Sequence, residues 1–448
     1  MREGFAVRYA TAGAALLSVL VVIGLWLAGG GPQAASAAGG ALTTAGRLTG
    51  LVGADLLLIQ VLLMARVPWV ERAYGQDALA RHHRVVGFVS LWLMLAHVAL
   101  IGAGYARSAG AGLLTEFWDL VTGYPGMLLA TAGTVLLVAV AGLSVRAARR
   151  RLRYESWHLI HLYAYLGVGL ALPHQLWTGS DFLATRVAAA YWWGLWGAAA
   201  AAVAVFRFGL PLYRSAYHRL RVETVVSEAP GVVSVYLRGR RLERLPARAG
   251  QFLLWRFLDG PGWTRAHPFT LSAAPRPDLL RITVKDLGDG SARIARLAPG
   301  TRVLVEGPYG ALTAERRTRD KVLLVAAGVG ITTMRALLDD VAPAAATTLL
   351  YRVRTPRDAV FRRELDSFAH HYGVRVVYLA GRRDRGGSWL PGRSGSGGDL
   401  AQLRRLVPDV ADHEVFLCGP PSWMAAVHRT LGHAGVPAGR IHAERFAW

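Results

Sequence analysis

The sequence predicts a multidomain membrane protein, in which a six-helix transmembrane bundle is followed by an antiparallel β-barrel domain and an α/β domain with a parallel sheet. Of the 448 residues, 53% are hydrophobic, and several apolar stretches in the first half approach the length of about 20 residues that spans a bilayer. After residue 210, the apolar runs become short and alternate with polar residues, as in strands. We expect domains at residues 1–212, 213–315 and 316–448.

The expected spans fix the topology of the first domain. The first apolar run lacks a small-residue cleavage site directly after it, so we interpret it as a retained span and not as a signal peptide. Six spans would place both termini on one side of the membrane. The spans are expected roughly at residues 8–29, 45–65, 85–105, 124–145, 157–177 and 187–209.

The distribution of charge indicates the orientation. The formal net charge is +22, and arginines concentrate in the loops after the second and fourth expected spans, where residues 145–153 read VRAARRRLR. The positive-inside rule places these loops, both termini and the soluble half in the cytoplasm of a multi-pass plasma-membrane protein. The arginines thus follow topology, which disfavours nucleic-acid binding. The single cysteine, Cys418, excludes an intrachain disulfide and fits a reducing compartment.

Histidines inside two of the expected spans indicate bound haem. His83 and His97 in the third span are 14 residues apart, within roughly 40° of one helix face and about 21 Å apart along the axis. His161 and His174 lie in the fifth span, which runs in the same direction. Two helices that each supply a histidine at two depths suit two bis-histidine haems, because low-spin haem iron takes a nitrogen on each side of its plane.

The second histidine pair leaves alternatives open. The 13-residue spacing of His161 and His174 puts them about 140° apart on an ideal helix, and Pro173 offers a distortion that could re-aim the second ring. The neighbouring His82 and His158 compete as ligands with the inner histidine of each helix. Packed or interfacial histidines without a cofactor are the other interpretation.

Asp55 is a carboxylate in the middle of the second expected span. Ionisable residues within spans are costly and are candidates for function by default. Asp55 could take part in proton movement, or it could simply accept an interhelical hydrogen bond.

The soluble half contains two patterns. Alternating runs such as VVSVYLRG and QFLLWRFL, separated by turns, indicate a small antiparallel barrel. From about residue 320, strands, turns and helices alternate, which predicts a parallel α/β sheet. Gly328 and Gly330 lie between its first strand and helix, where glycine permits close backbone approach and a helix N-terminus favours phosphate. A plain tight turn into a helix is the alternative. Residues 381–400 look like a flexible linker.

These motifs together resemble the ferric reductase and NADPH oxidase family, and the resemblance covers nearly the whole chain. HHRVVGFVSLWLMLAH and WHLIHLYAYLGVGLALPH look like the third and fifth helices of the family, each of which supplies two haem ligands. HPFTLSAAP, residues 267–275, resembles the flavin-binding strand of the ferredoxin–NADP reductase superfamily. GPYG, residues 307–310, is similar to the segment that closes its barrel, and CGPP, residues 418–421, to its nicotinamide-side loop.

The resemblance implies roles for single residues. The ligands of two b-type haems would be His83, His97, His161 and His174. The FAD-binding residues would be His267, Pro268, Phe269, Thr270, Ser272, Gly290 and Ser291. The residues at NAD(P)H would be Gly328, Gly330, Thr332 and Gly419. Cys418 would lie near the nicotinamide, with a small buried hydrophobe as its alternative role. Trp448, or else Phe446, would stack on the flavin and move for nicotinamide, unless it only packs at the lobe interface.

The resemblance also implies a function. Electrons would pass from cytoplasmic NAD(P)H through FAD and two haems to an acceptor outside, preferably ferric iron, with oxygen reduction to superoxide as the alternative. Arg352 and Arg354 follow the second strand of the nucleotide domain and favour NADPH over NADH, unless they are plain surface arginines. Glu116, Asp119 and Asp181 in outer loops could attract a ferric species. A non-catalytic membrane transporter or scaffold is the third interpretation.

Overall fold

The computed structural model describes residues 2–36, 40–145, 154–382, 387–392 and 398–444, and it divides into two compact units. The helical unit comprises residues 2–74 and 78–208, and the other unit comprises residues 75–77 and the chain from Gly209 onward. Each unit is described by itself below.

The helical unit is built from long helices with short connections. Its helices are α1 (Arg2–Ala28), α2 (Gly40–Met64), α3 (Pro68–Tyr74), α4 (Gln76–Ala109), α5 (Leu113–Gly123), α6 (Met127–Ser144), α7 (Tyr154–Trp177), α8 (Ser180–Leu183) and α9 (Arg186–Ala202), and α9 continues as a π-helical segment, Val203–Gly209. Residues of α1, α2, α4, α6, α7, α8 and α9 form one apolar core.

Five helices in the described part of the chain are long and apolar enough to cross a membrane. They are Ala6–Ala28, Gly40–Met64, Ala78–Ala109, Met127–Ser144 and Arg186–His218. The expected fifth span, in α7, has 24 residues but is not among them. Its histidines, Gln175 and Pro173 lower its mean hydropathy. These five candidate spans agree with the predicted membrane protein, whereas the count of six spans stays a prediction.

Glycines bring α6 and α7 together. A Cβ atom added at Gly133 would lie 2.7 Å from the carbonyl oxygen of Gly167, so the two backbones touch at this point. Small residues permit such close approach of membrane helices. The contact places the end of α6 beside the histidines of α7.

The second unit begins with a flavin lobe, as the resemblance implies. Its strands are β1 (Arg221–Ala229), β2 (Val232–Arg238), β3 (Phe252–Phe257), β4 (His267–Thr270), β5 (Leu279–Lys285) and β6 (Val303–Tyr309), with helices α10 (Leu210–His218) and α11 (Asp289–Ile294). They form two antiparallel sheets, in the orders β1-β2-β5 and β4-β3-β6. Isolated bridges, Arg221 to Arg302 and Leu271 to Ile282, connect them. The antiparallel structure is as expected, but the described residues form no closed barrel. Strand β4 has only four residues, and all four pair with β3.

The nucleotide lobe has the expected parallel sheet. Its strands are β7 (Lys321–Ala327), β8 (Ala346–Val353), β9 (Arg375–Ala380), β10 (Glu414–Cys418) and β11 (Ile441–Ala443), and its helices are α12 (Ile331–Val341), α13 (Arg362–Tyr372), α14 (Gly398–Leu406) and α15 (Pro421–His433). The order is β11-β10-β7-β8-β9, with all pairs parallel. After β7 the chain continues to β8, which pairs with one edge of β7. Strand β10 pairs with the other edge of β7, so the strand order reverses between β7 and β10. A crevice for ligands is expected at the carboxyl ends of β7 and β10.

The segment at residues 381–400 is not simply a flexible linker. Trp389 and Leu390 are buried in the core of the nucleotide lobe, and Nε1 of Trp423 donates a hydrogen bond to the Trp389 carbonyl at 2.8 Å. Apolar side chains in this glycine-rich stretch therefore anchor it. Residues 383–386 and 393–397 lie outside the described residues.

Candidate functional site

The inner histidine pair joins α4 and α7. The ring centres of His83 and His161 are 5.8 Å apart, with 75° between the ring planes. Nδ1 of His161 lies 3.1 Å from Oγ of Ser144, which itself donates to the Val140 carbonyl at 2.7 Å. Because a hydroxyl has one hydrogen to donate, Nδ1 of His161 is the donor in their contact. This places the ring proton on Nδ1, the tautomer of a histidine that binds a metal through Nε2.

The outer pair is oriented in the same way. Nδ1 of His97 lies 2.7 Å from the Gly46 carbonyl, and Nδ1 of His174 lies 2.5 Å from the Ala171 carbonyl. A carbonyl only accepts, so both Nδ1 atoms donate and both Nε2 atoms can bind a metal. A Cβ atom at Gly50 would clash with the His97 ring, so glycine makes room for it.

The spacing of the inner pair would suit one b-type haem, whose iron takes imidazole nitrogens as ligands, because the ring centres of His83 and His161 are 5.8 Å apart. The competing His82 packs its ring against Tyr74 at 5.6 Å. The side chain of His158 lies outside the described residues. Among the described residues, no group of three or more His, Cys, Asp or Glu could hold a metal ion on its own.

Asp55 takes part in an interhelical network through one of its two carboxylate oxygens. It is fully buried, and its Oδ1 accepts hydrogen bonds from Oγ of Ser18 at 2.7 Å and from the hydroxyl of Tyr191 at 2.6 Å. These contacts tie α1, α2 and α9 together, whereas Oδ2 is buried and has no hydrogen-bond partner among the described residues. The interhelical hydrogen bond is therefore present, and proton movement stays a prediction.

Of the three outer acidic residues, one is neutralised. Arg47 forms an ion pair with Asp181, with Nε and Oδ2 2.7 Å apart. The negative charge of Asp181 is therefore already compensated by Arg47. Glu116 and Asp119 lie on α5, whose Leu114 is 88% exposed.

The predicted flavin strand presents an aromatic face. The rings of His267 and Phe269 are stacked with centres 5.8 Å apart and 4° between the planes. Residues two apart on a strand share a face. Pro268 lies between them, and Thr270 is buried where β4 pairs with Phe252 of β3. The strand therefore offers a flat apolar surface of the kind that a flavin ring needs.

A small cleft lies beside this face. It is lined by His267, Gly290, Arg265 and Arg293 among others. A Cβ at Gly290 would lie 3.3 Å from Cε1 of His267, so glycine keeps the cleft open. Arg265 suits a pyrophosphate, since guanidinium binds phosphate oxygens in pairs, whereas the guanidinium of Arg293 is already paired with both carboxylate oxygens of Asp259 at 2.6 Å. The hydroxyl of Ser291 accepts from the Leu287 amide at 2.7 Å and orders the loop.

Ser272 does not lie on the open face. It is fully buried, and its hydroxyl accepts hydrogen bonds from Nε of Arg281 at 3.1 Å and from Thr283 at 2.8 Å. Arg281, which sequence reasoning missed, is also held by Glu364 of the nucleotide lobe at 2.7 Å. The available signal was an arginine at a central position of an otherwise apolar strand, LLRITVK.

The glycine turn lies at the expected crevice. Gly328 has a φ of 56°, which favours glycine, and a Cβ at Gly330 would clash with the carbonyl of Cys418 at the end of β10. The hydroxyl of Thr332 donates to the Val329 carbonyl at 2.9 Å and closes the turn. The turn therefore brings the N-terminus of α12 to the ends of β7 and β10.

Cys418 is enclosed beside this turn. Its Sγ lies 3.6 Å from Oγ1 of Thr333, and burial raises the pKa of the thiol to about 12. It is a neutral thiol near pH 7 and no nucleophile. Gly419 packs against the ring of Trp423, so a side chain there would clash.

The other predicted site residues are the two arginines near the end of β8 and the aromatic residues near the end of the chain. Arg352 is half-buried at the end of β8, with Nη2 3.4 Å from the Gly381 carbonyl, whereas Arg354 is exposed. Trp448 and Phe446 lie outside the described residues.

Three family models match successive parts of the chain. A ferric reductase like transmembrane component matches residues 49–172, an FAD-binding domain matches residues 224–313, and an oxidoreductase NAD-binding domain matches residues 324–429. They cover the histidine helices, the flavin strand and the glycine turn in turn.

Named relatives are reductases. The glycine betaine monooxygenase reductase subunit of Chromohalobacter salexigens is 31% identical over 51% of this chain and 64% of its own length. NADH oxidoreductase HCR of Escherichia coli is 29% identical over 51% of this chain and 67% of its own. The solved ferredoxin reductase in carbazole 1,9a-dioxygenase aligns with a TM-score of 0.43 and 24% identity, over 51% of this chain and 69% of that one.

The chain spans a little under two thirds of the first of these relatives, so their activities describe those proteins alone. The matched domains nevertheless follow one another in a single polypeptide, from the membrane helices to the nucleotide lobe. The chain therefore combines a ferric reductase-like transmembrane domain with an FAD-binding domain and an oxidoreductase NAD-binding domain.

Proposed function

We propose that this protein passes electrons from cytoplasmic NAD(P)H, preferably NADPH, through FAD and two b-type haems to ferric iron outside the plasma membrane. The supporting observation is the histidine arrangement, in which α4 and α7 each supply two histidines, and Nδ1 of His97, His161 and His174 faces a hydrogen-bond acceptor, as in histidines that bind a metal through Nε2. When bound, the flavin accepts two electrons as a hydride and releases them singly to haem iron, which a nicotinamide cannot do.

The chain supplies binding and orientation. The glycine turn admits the nucleotide phosphates, and the face of His267 and Phe269 carries the flavin ring. The carbonyls of Gly46 and Ala171 and the hydroxyl of Ser144 hold the imidazoles in the metal-binding tautomer.

Similarity to the reductase subunit of a monooxygenase favours a second candidate, in which the flavin donates electrons to an oxygenase partner. Vesicles with the soluble half outward separate the candidates. NADPH is added outside, and a ferric chelate with a ferrous indicator is enclosed. We expect anaerobic ferrous formation in the lumen. Luminal superoxide with negligible anaerobic iron reduction would favour the oxidase alternative, and no luminal product would contradict the transmembrane path.

A further inference from the structure

Four charged side chains join the flavin lobe to the nucleotide lobe. Arg281 lies on β5 of the flavin lobe, whereas Arg335 and Asp339 lie on α12 and Glu364 lies on α13 of the nucleotide lobe. We refer to these four residues as the lobe clamp. Two positive and two negative charges balance, which limits the cost of burying them.

Arg281 is held from both lobes. Its Nη1 and Nη2 donate to the two carboxylate oxygens of Glu364, at 2.7 and 3.0 Å, as a bidentate pair. Its Nη2 also donates to the Ser272 carbonyl at 2.7 Å. The guanidinium carbon lies 4.7 Å from the ring centre of Phe361, at the start of α13. The guanidinium of Arg281 therefore contacts groups of both lobes, so a shift of one lobe against the other would change its position.

A second connection runs beside the first. Arg335 donates to Glu364 and also to Asp339, the latter at 2.7 Å. The carboxylate of Asp339 in turn accepts the backbone N–H of Ala274 at 2.8 Å. Helix α12 begins directly after the glycine turn, and Ser272 and Ala274 follow the flavin strand β4. The lobe clamp therefore connects the expected phosphate site to the expected flavin site.

We propose that the lobe clamp positions the nicotinamide against the flavin, with Arg281 and Glu364 as positioning residues for hydride transfer. This inference rests on the proposed function. In the step, a C–H bond of the reduced nicotinamide breaks, the hydride carries both electrons to the flavin, the nucleotide is oxidised and the flavin is reduced. A displacement of about 1 Å at the reacting atoms can slow such a step by about a hundredfold.

The test uses the full-length protein loaded with FAD and mixed rapidly with NADPH or NADH. The variants are Glu364→Gln, which removes the charge, and Arg281→Lys, which keeps the charge and loses the planar fork. Glu223→Gln is the matched control, because Glu223 pairs with Arg238 at 2.6 Å entirely within the flavin lobe. Flavin bleaching gives the limiting rate and the apparent Kd for nucleotide, and FAD content and Tm are measured beside them.

We expect Glu364→Gln to lower the limiting rate by about ten- to a hundredfold, with little change in the apparent Kd or in FAD content. Arg281→Lys should fall between it and the wild type, and Glu223→Gln should match the wild type. Wild-type rates in both clamp variants would overturn the proposal. So would a loss of rate that only follows the loss of FAD or of folded protein. If the wild type were reduced by neither nucleotide, the proposed function itself would fail.

Discussion

Cys418 lies at the end of β10 beside the glycine turn, and its burial raises the pKa of the thiol to about 12. Alkylating reagents attack the thiolate, so at about pH 8 the folded protein should stay unmodified while the denatured chain is labelled. The chain has one cysteine, so intact mass reports the labelling directly. Rapid labelling of the folded protein would contradict the enclosed position of this side chain.

Residue positions were predictable where they depend on local repeats. Helix periodicity predicted a shared face for His83 and His97, whereas the flavin strand was predicted from its resemblance to a known family. The pairing of Arg281 with Glu364 was not predictable, because the partners are 83 residues apart and meet only when two lobes pack. The burial of Ser272 has the same cause.

At the scale of elements, the contact between α6 and α7 depends on Gly133. A Cβ there would lie 2.7 Å from the Gly167 carbonyl, whereas one at Gly142 on the same helix would have nothing within 4 Å. Gly133→Ala should therefore destabilise the protein by about 1–3 kcal/mol through overpacking. Gly142→Ala should be neutral or stabilising by about 0.5–1 kcal/mol. Thermal unfolding in detergent compares them, and equal Tm values would contradict the contact.

The types of the secondary-structure elements could be predicted from the sequence, whereas closure of the β-barrel could not. The alternation of strands and helices predicted the parallel sheet of the nucleotide lobe, including the turn at Gly328. The closed barrel was not predictable in the same way, because closure depends on which edges pair, and the pattern of one strand does not specify its partner. Trp389 shows that a glycine-rich segment can still carry a core residue.

At the scale of the whole molecule, the lobe clamp makes stability depend on pH. Burial would raise the pKa of Glu364, but the guanidiniums of Arg281 and Arg335 outweigh it and hold the pKa below the ordinary value of 4.5. Its contribution is therefore present above about pH 4.5 and is lost as the pH falls through the lower folded value. The Tm difference between wild type and Glu364→Gln should be full at pH 7 and shrink in acid. A difference that grows on acidification would contradict the ion pairs.

The central claim is that electrons from NAD(P)H reach two haems held by α4 and α7. The most direct measurement is the anaerobic absorbance spectrum of the purified protein before and after NADPH, with the haem-to-protein ratio, for the wild type and for His97→Ala and His174→Ala. We expect two low-spin b-type haems per chain that NADPH reduces, and one fewer in each variant, with FAD retained. Absence of haem bands, or bands that stay oxidised while the flavin bleaches, would contradict the account.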